Sequence, residues 1–129
     1  MTTAVSPTDA AITLIQRFED SFNRYDPDGL MAAMTDDCVF EHVTPEGKGI
    51  GRHVGQEAVR AMWVSLPQGF PNYRFDTADI FANESGDRCA YRWTLHWDLP
   101  EGGRGELRGV DIYTIRDGKI SEKYTYFTM

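Results

Sequence analysis

The amino-acid sequence predicts an α+β fold in which three N-terminal helices pack on a curved antiparallel sheet and close it into a cone. Two observations carry this. Apolar residues recur at helical spacing through much of the first half of the chain, and from Tyr73 onward the pattern changes to the two-residue period of strands. Three turn clusters, Glu84-Ser85-Gly86-Asp87, Pro100-Glu101-Gly102-Gly103 and Asp117-Gly118, divide that second part into a meander of four strands.

Ser6-Pro7-Thr8-Asp9 opens the first helix. Ser6 is its N-cap, Pro7 takes the first helical position, where a missing N–H costs nothing, and Asp9 stands where a capping box places its acid. Ala11, Leu14, Ile15, Phe18, Phe22 and Tyr25 then form one apolar face. Asp26-Pro27-Asp28-Gly29 repeats the cap-then-proline signal and starts a short second helix with Leu30, Met31 and Met34, expected to end near Thr35-Asp36-Asp37. Cys38 to Val43 reads as a strand, with Cys38, Phe40 and His42 on one face and Val39, Glu41 and Val43 on the other. A loop rich in glycine and proline is expected from Thr44 to about Val54. A third helix follows from near Gly55 to Leu66, with Val59, Met62, Trp63 and Leu66 as its stripe, and Pro67 breaks it. The four strands are expected at about 73–82, 88–99, 105–116 and 119–127.

With 129 residues the chain is expected to form one domain, 1–129, large enough for one hydrophobic core. No apolar run approaches the roughly 20 residues of a membrane span, and the first residues lack the basic-then-apolar layout of a signal peptide, so a cytoplasmic location is the default. A formal net charge of -7 works against nucleic acid or an anionic membrane as partner, since both need a basic footprint. Cys38 and Cys89 sit among apolar neighbours as small buried hydrophobes, and no cluster of cysteine and histidine suggests a metal. The easier partner is a small apolar organic molecule held in the cone, the usual place for such a ligand.

Asp111 is the residue that most needs a reason. It stands in mid-strand between Val110 and Ile112 and shares a face with Leu107, Gly109, Tyr113 and Ile115. A carboxyl placed there is desolvated, which raises its pKa and suits it to proton donation unless a backbone amide or a cation such as Arg92 satisfies it. His42 titrates in the range needed to remove a proton beside a carbonyl.

The order helix, short helix, strand, helix, four strands resembles the NTF2-like superfamily, and within it the SnoaL-like polyketide cyclases and ketosteroid isomerases. The resemblance rests on Asp26-Pro27-Asp28-Gly29-Leu30, Thr35-Asp36-Asp37-Cys38-Val39-Phe40-Glu41 and Asp117-Gly118-Lys119-Ile120. It implies that Asp111 falls where the isomerases carry the strand aspartic acid that donates to the developing oxyanion. His42 falls where they carry a proton-shuttling aspartate, and Phe18 where they carry the oxyanion-hole tyrosine. Loss of that hydroxyl removes about 3 kcal/mol of transition-state stabilisation, which argues against steroid double-bond isomerisation. The SnoaL-like cyclases, with an Asp/His type of acid/base set and neither metal nor cofactor, ask less of Phe18.

The expectation is therefore an acid/base enzyme of cyclase, isomerase or dehydratase type without metal or cofactor, acting on a small apolar carbonyl compound, with His42 as base and Asp111 as acid. The alternative is a non-catalytic ligand-binding or dimeric interaction protein. Phe18, Met34, Met62 and Trp63 would line the helical wall, Phe40 the strand beside His42, and Tyr73 and Tyr113 would offer hydroxyls. The strand at 88–99 carries Tyr91, Trp93, Leu95 and Trp97 on one face and Arg92, Thr94, His96 and Asp98 on the other. An aromatic row is usually core, which places Trp93 in the pocket wall, whereas the opposite orientation would bring in His96. The outer face of the sheet carries enough apolar residues to pair with a second copy in a homodimer.

Overall fold

The computed structural model describes residues 4–44 and 49–128, so the expectations for residues 1–3 and for the part of the predicted loop at 45–48 lie outside the described residues. Helix α1 (Pro7–Asn23) starts as its sequence dictates, with the Asp9 backbone N–H donating to Ser6 Oγ at 3.1 Å. Helix α2 (Pro27–Ala32) is capped by Asp26, whose carboxylate accepts from the Gly29 N–H at 3.0 Å. It ends earlier than expected. The Ile120 N–H donates to the Ala33 carbonyl at 2.8 Å, which draws the chain into the sheet, so Met34 to Asp37 belong to strand β1 (Met34–Val43).

Much of the predicted loop is also strand. β2 (Ile50–Val54) pairs antiparallel with β1, from Val39 opposite Val54 to Val43 opposite Ile50. Helix α3 (Gln56–Gly69) runs through Pro67, which sits in its last turn, where one lost backbone bond does not stop the helix. Strands β3 (Arg74–Ala82), β4 (Arg88–Asp98), β5 (Arg104–Arg116) and β6 (Lys119–Thr128) form the meander.

The sheet has six strands in the order β2-β1-β6-β5-β4-β3, and β1 runs parallel to β6. It is therefore mixed rather than antiparallel, and α3 comes after two of its strands rather than ahead of the sheet. Local turn signals announce hairpins, but a parallel pairing between distant segments leaves no such signal in the sequence. Register shifts interrupt the ladders between Met34 and Val39, Thr77 and Asp79, and Thr114 and Ile115. Extra residues on one strand bend it and increase its twist, and the three irregularities, three extra residues on β1, one on β3 and one on β6, curve this sheet around the helices.

The core lies on the concave side. Ile15, Phe18 and Phe22 of α1 and Val59 and Trp63 of α3 meet Tyr91, Trp93 and Leu95 of β4, all buried. The aromatic row of β4 thus faces inward, and Arg92 is exposed on the outer face, 3.8 Å from Asp79. Cys38 and Cys89 are buried free thiols. Among the described residues no helix is long and apolar enough to cross a membrane.

Gly109 has a packing reason to lack a side chain. A Cβ there would stand 2.2 Å from Trp93 Cζ2, because the indole lies flat over this position of β5. The ring also makes an edge contact with Phe75, at 5.2 Å between centroids. Gly109→Ala should therefore displace the indole and lower stability by about 1–3 kcal/mol in urea unfolding followed by tryptophan fluorescence. An unchanged midpoint and emission maximum would show that the ring has room to move.

Candidate functional site

A cavity of about 280 Å³ opens between the concave sheet and helices α1 and α3. Its wall is largely aromatic and aliphatic, with Phe22, Phe40, Trp63, Phe75, Trp93 and Leu95 among the lining residues. Against that wall stand Glu19 from α1, Ser65 from α3 and, from the sheet, four polar or titratable side chains, His42, Asp111, Lys123 and Thr125. They converge because β1, β6 and β5 are neighbours and their inward positions align. His42 is opposite Thr125 and Thr125 is opposite Asp111, while one step along Phe40, Lys123 and Tyr113 form a second row.

Asp111 is only 2% exposed. Thr125 Oγ1 donates to its Oδ1 at 2.6 Å, and Lys123 Nζ lies 3.4 Å from its Oδ2. Lys123, itself 5% exposed, donates to Thr125 Oγ1 at 2.7 Å and sits 4.7 Å from the centre of the Phe40 ring. The Thr125 hydroxyl is thus both donor to the acid and acceptor from the amine. Tyr113 OH lies 2.6 Å from Glu19 Oε1 and 3.2 Å from Asp111 Oδ2, and joins the two acids below the cavity floor. Burial pushes the Glu19 carboxyl up to about 8, and the Asp111 charge adds to the rise against the opposing pull of Lys123 and Tyr113. The Tyr113 phenol is held well above its ordinary value by burial and then by the two acids.

His42 is half-buried, whereas Asp111 is buried. Its Nδ1 lies 2.9 Å from the Val43 carbonyl, so the neutral ring donates there, and its Nε2 is 3.1 Å from His53 Nε2 and accepts from it. Burial followed by the nearness of His42 lowers the His53 pKa. Gly51 gives the pair space, since a Cβ at that position would meet His42 Nε2 at 2.5 Å. Adjacent strands lie about 4.8 Å apart, so the α-carbons of His42 and Asp111, two strands apart, are separated by about 10 Å. No group of three or more potential metal ligands occurs among the described residues.

Of the residues singled out in the sequence, Asp111, His42, Phe40, Met62, Trp63 and Trp93 line the cavity. Phe18 is packed behind the wall, against Phe22, Trp63 and Tyr113. Met34 is buried in the core away from the lining. The Tyr73 hydroxyl is used up in the core, donating to the Phe22 carbonyl at 2.7 Å. Tyr113 contributes its hydroxyl to the two acids rather than to the cavity surface. His96 points to the other face of β4, 3.4 Å from Asp76. The cation beside Asp111 is Lys123 rather than Arg92.

Glu19, Lys123 and Thr125 line the cavity although the sequence does not single them out as site residues. The cause is one residue. Beyond the Asp117-Gly118 turn the ladder pairs Arg116 with Lys119 and Ile115 with Ile120, but then Thr114 with Glu122, leaving Ser121 as the extra residue on β6. A continuous register would have placed Glu122 and Tyr124 inside, and the bulge turns Lys123 and Thr125 inward instead. Glu19 had a legible signal. It stands four residues after Ile15 and three before Phe22, within the apolar stripe of α1.

Glu19 makes stability depend on pH. Its carboxyl holds a proton up to about 8 in the fold against an ordinary 4.5, so between these values the folded state binds more protons than the unfolded chain. The stabilisation is complete below 4.5 and is lost as pH rises through about 8. Urea midpoints of the wild type should fall across this window and those of Glu19→Gln should fall less. Parallel profiles would mean that Glu19 is ionised at neutral pH.

No curated protein matches the chain. Among solved structures, a Mesorhizobium loti NTF2-like protein of unknown function is 27% identical, with 98% of each chain covered and a TM-score of 0.77. A Mycobacterium tuberculosis protein in complex with estradiol-17beta-hemisuccinate is 26% identical, with 97% of this chain and 96% of that one covered and a TM-score of 0.76. TerC, co-crystallised with polyporic acid, is 23% identical over 92% of both chains, with a TM-score of 0.79. The model of the SnoaL-like domain family matches residues 15–123, most of the chain, and the protein therefore belongs to the SnoaL-like family of NTF2-like folds.

Proposed function

We propose that the protein is an acid/base enzyme of isomerase, cyclase or dehydratase type that works with its own side chains on a small, largely apolar carbonyl compound. The observation that carries this reading is the placement of Asp111, Lys123 and His42 on adjoining inward positions of an otherwise apolar cavity of about 280 Å³. That volume is at the lower end for small-molecule sites and suits a ligand of about two fused rings. The M. tuberculosis neighbour in complex with a steroid hemisuccinate supports an organic ligand for this fold.

In this reading the ligand carbonyl points to the deep end, where Asp111 gives a proton to its oxygen and Lys123 offers a second donor. His42 Nε2 takes the proton from the adjacent carbon after the ligand displaces His53. Each group is in place to supply the ~10²-fold or more that positioned proton transfer contributes. A test needs only a readily enolised bicyclic ketone such as 2-tetralone in deuterated water, with uptake of deuterium followed by NMR. Uptake above the buffer rate is expected, with a loss of about 10²-fold in Asp111→Asn and a smaller loss in His42→Ala. Ketone binding without accelerated uptake would favour a ligand carrier instead.

The outer face of β5 and β6 carries Val110, Ile112, Tyr124 and Tyr126, of which Tyr126 is 48% exposed. This supports pairing with a second copy through the sheet, away from the cavity. Sedimentation at micromolar concentration should give a dimer, and a monomer there would refute the pairing.

A further inference from the structure

The acid role given to Asp111 leaves a question of supply, because this carboxyl has an ammonium at 3.4 Å and accepts a bond from Thr125. The proton must come from elsewhere. Below the floor Tyr113 has one O–H and two carboxyl neighbours, at 2.6 Å and 3.2 Å. If neither acid carries a proton, the phenol satisfies one of them and faces the other with a lone pair. If Glu19 carries one, both contacts become hydrogen bonds in a single direction, from Glu19 to the Tyr113 oxygen and from Tyr113 to Asp111 Oδ2.

We infer that Glu19 stores the site's spare proton and that the Tyr113 hydroxyl passes it to Asp111 when a ligand oxygen draws on that carboxyl. This rests on the acid/base reading of the site and names the source of its proton. The transfer balances. Asp111 gives a proton to the ligand oxygen as it receives one from Tyr113, and Tyr113 receives one from Glu19. Glu19 is left as a carboxylate while His42 holds the proton taken from carbon, and return of both resets the site. Lys123, which lowers the cost of charge on Glu19, is placed to support that state.

The charged and titratable groups that influence Glu19 are Asp20 on its own helix, Asp111 and Tyr113 of β5 and Lys123 of β6. Tyr73 ahead of β3 and Cys89 and Tyr91 of β4 feel its charge in turn. Lys123 is the only cation in this set. Two acids on one amine leave one carboxyl to be neutral, and Asp111 has the closer ammonium contact.

Infrared spectroscopy of the intact protein tests the arrangement without a substrate. A protonated-carboxyl C=O stretch is expected at neutral pH in the wild type and should be missing in Glu19→Gln, while in Asp111→Asn, which removes the neighbouring charge that adds to the Glu19 rise, the band should vanish at a lower pH than in the wild type. In Tyr113→Phe the band should persist but shift to higher frequency, because the Glu19 O–H has lost its acceptor. All three substitutions are nearly isosteric, and circular dichroism checks that each has folded. A band that survives in Glu19→Gln, no band in the wild type, or an unshifted band in Tyr113→Phe would each overturn the relay. Deuterium uptake by 2-tetralone is read separately. Uptake with no Glu19 band refutes the relay and leaves the enzymatic reading standing, whereas a shifted Glu19 band without uptake retains the proton store and removes the reaction.

Discussion

One buried ammonium has to serve two buried carboxyls, and the interior of this protein is arranged around that shortage. Taking a single unpaired charge out of water costs several kcal/mol even after relaxation. Lys123 and Asp111 meet at 3.4 Å, and Thr125 bridges them as donor to one and acceptor from the other. Phe40 covers the ammonium from β1. Glu19 comes from the helix on the far side of the floor and, among the described residues, has no cation within ion-pair distance, so the least costly state of the cluster keeps a proton on it. The fold thereby holds an acid and a charged pair side by side in one apolar container.

The sequence made the outer frame of this arrangement legible. Ser6 and Asp26 announce the two helix starts, and the turn clusters divide the meander at positions close to the observed strand ends. These are local signals, and local chemistry decides them. What escaped depends on pairings between distant segments. β2 reads as a loop because glycine-rich sequence becomes strand only when β1 is beside it. Lys123 and Thr125 point inward because a single extra residue at Ser121 shifts the β5–β6 ladder, and no alternation in β6 alone reports that shift. Glu19 is different. Its place in the stripe beside Ile15, Phe18 and Phe22 was visible, and an acid at such a position is among the more informative departures from a helical pattern.

The cavity persists because its walls are braced from behind. Phe18 contacts Phe22, Trp63 and Tyr113 edge-on, so the ring that stands where a hydroxyl would be expected supports the lining rather than joining it. Trp93 lies over Gly109 and against Phe75, which keeps the indole from folding into the space. A rigid apolar wall also strengthens the polar cluster, since interactions between charges grow as water is excluded. Wall and floor are therefore one design problem, in which aromatic packing sets the dielectric that the acids and the amine experience.

The parallel contact between β1 and β6 has a consequence for how the molecule is made. β6 is the last strand in chain order, yet it occupies a central slot between β1 and β5 and contributes Lys123 and Thr125. A nascent chain that has emitted everything up to β5 has Asp111 but neither its amine nor its bridging hydroxyl, and its two half-sheets have no strand to join them. Closing that gap brings together segments about eighty residues apart, the kind of long-range pairing that slows folding. Assembly of the charged cluster and completion of the sheet are thus the same late event, and exposed strand edges persist until it happens.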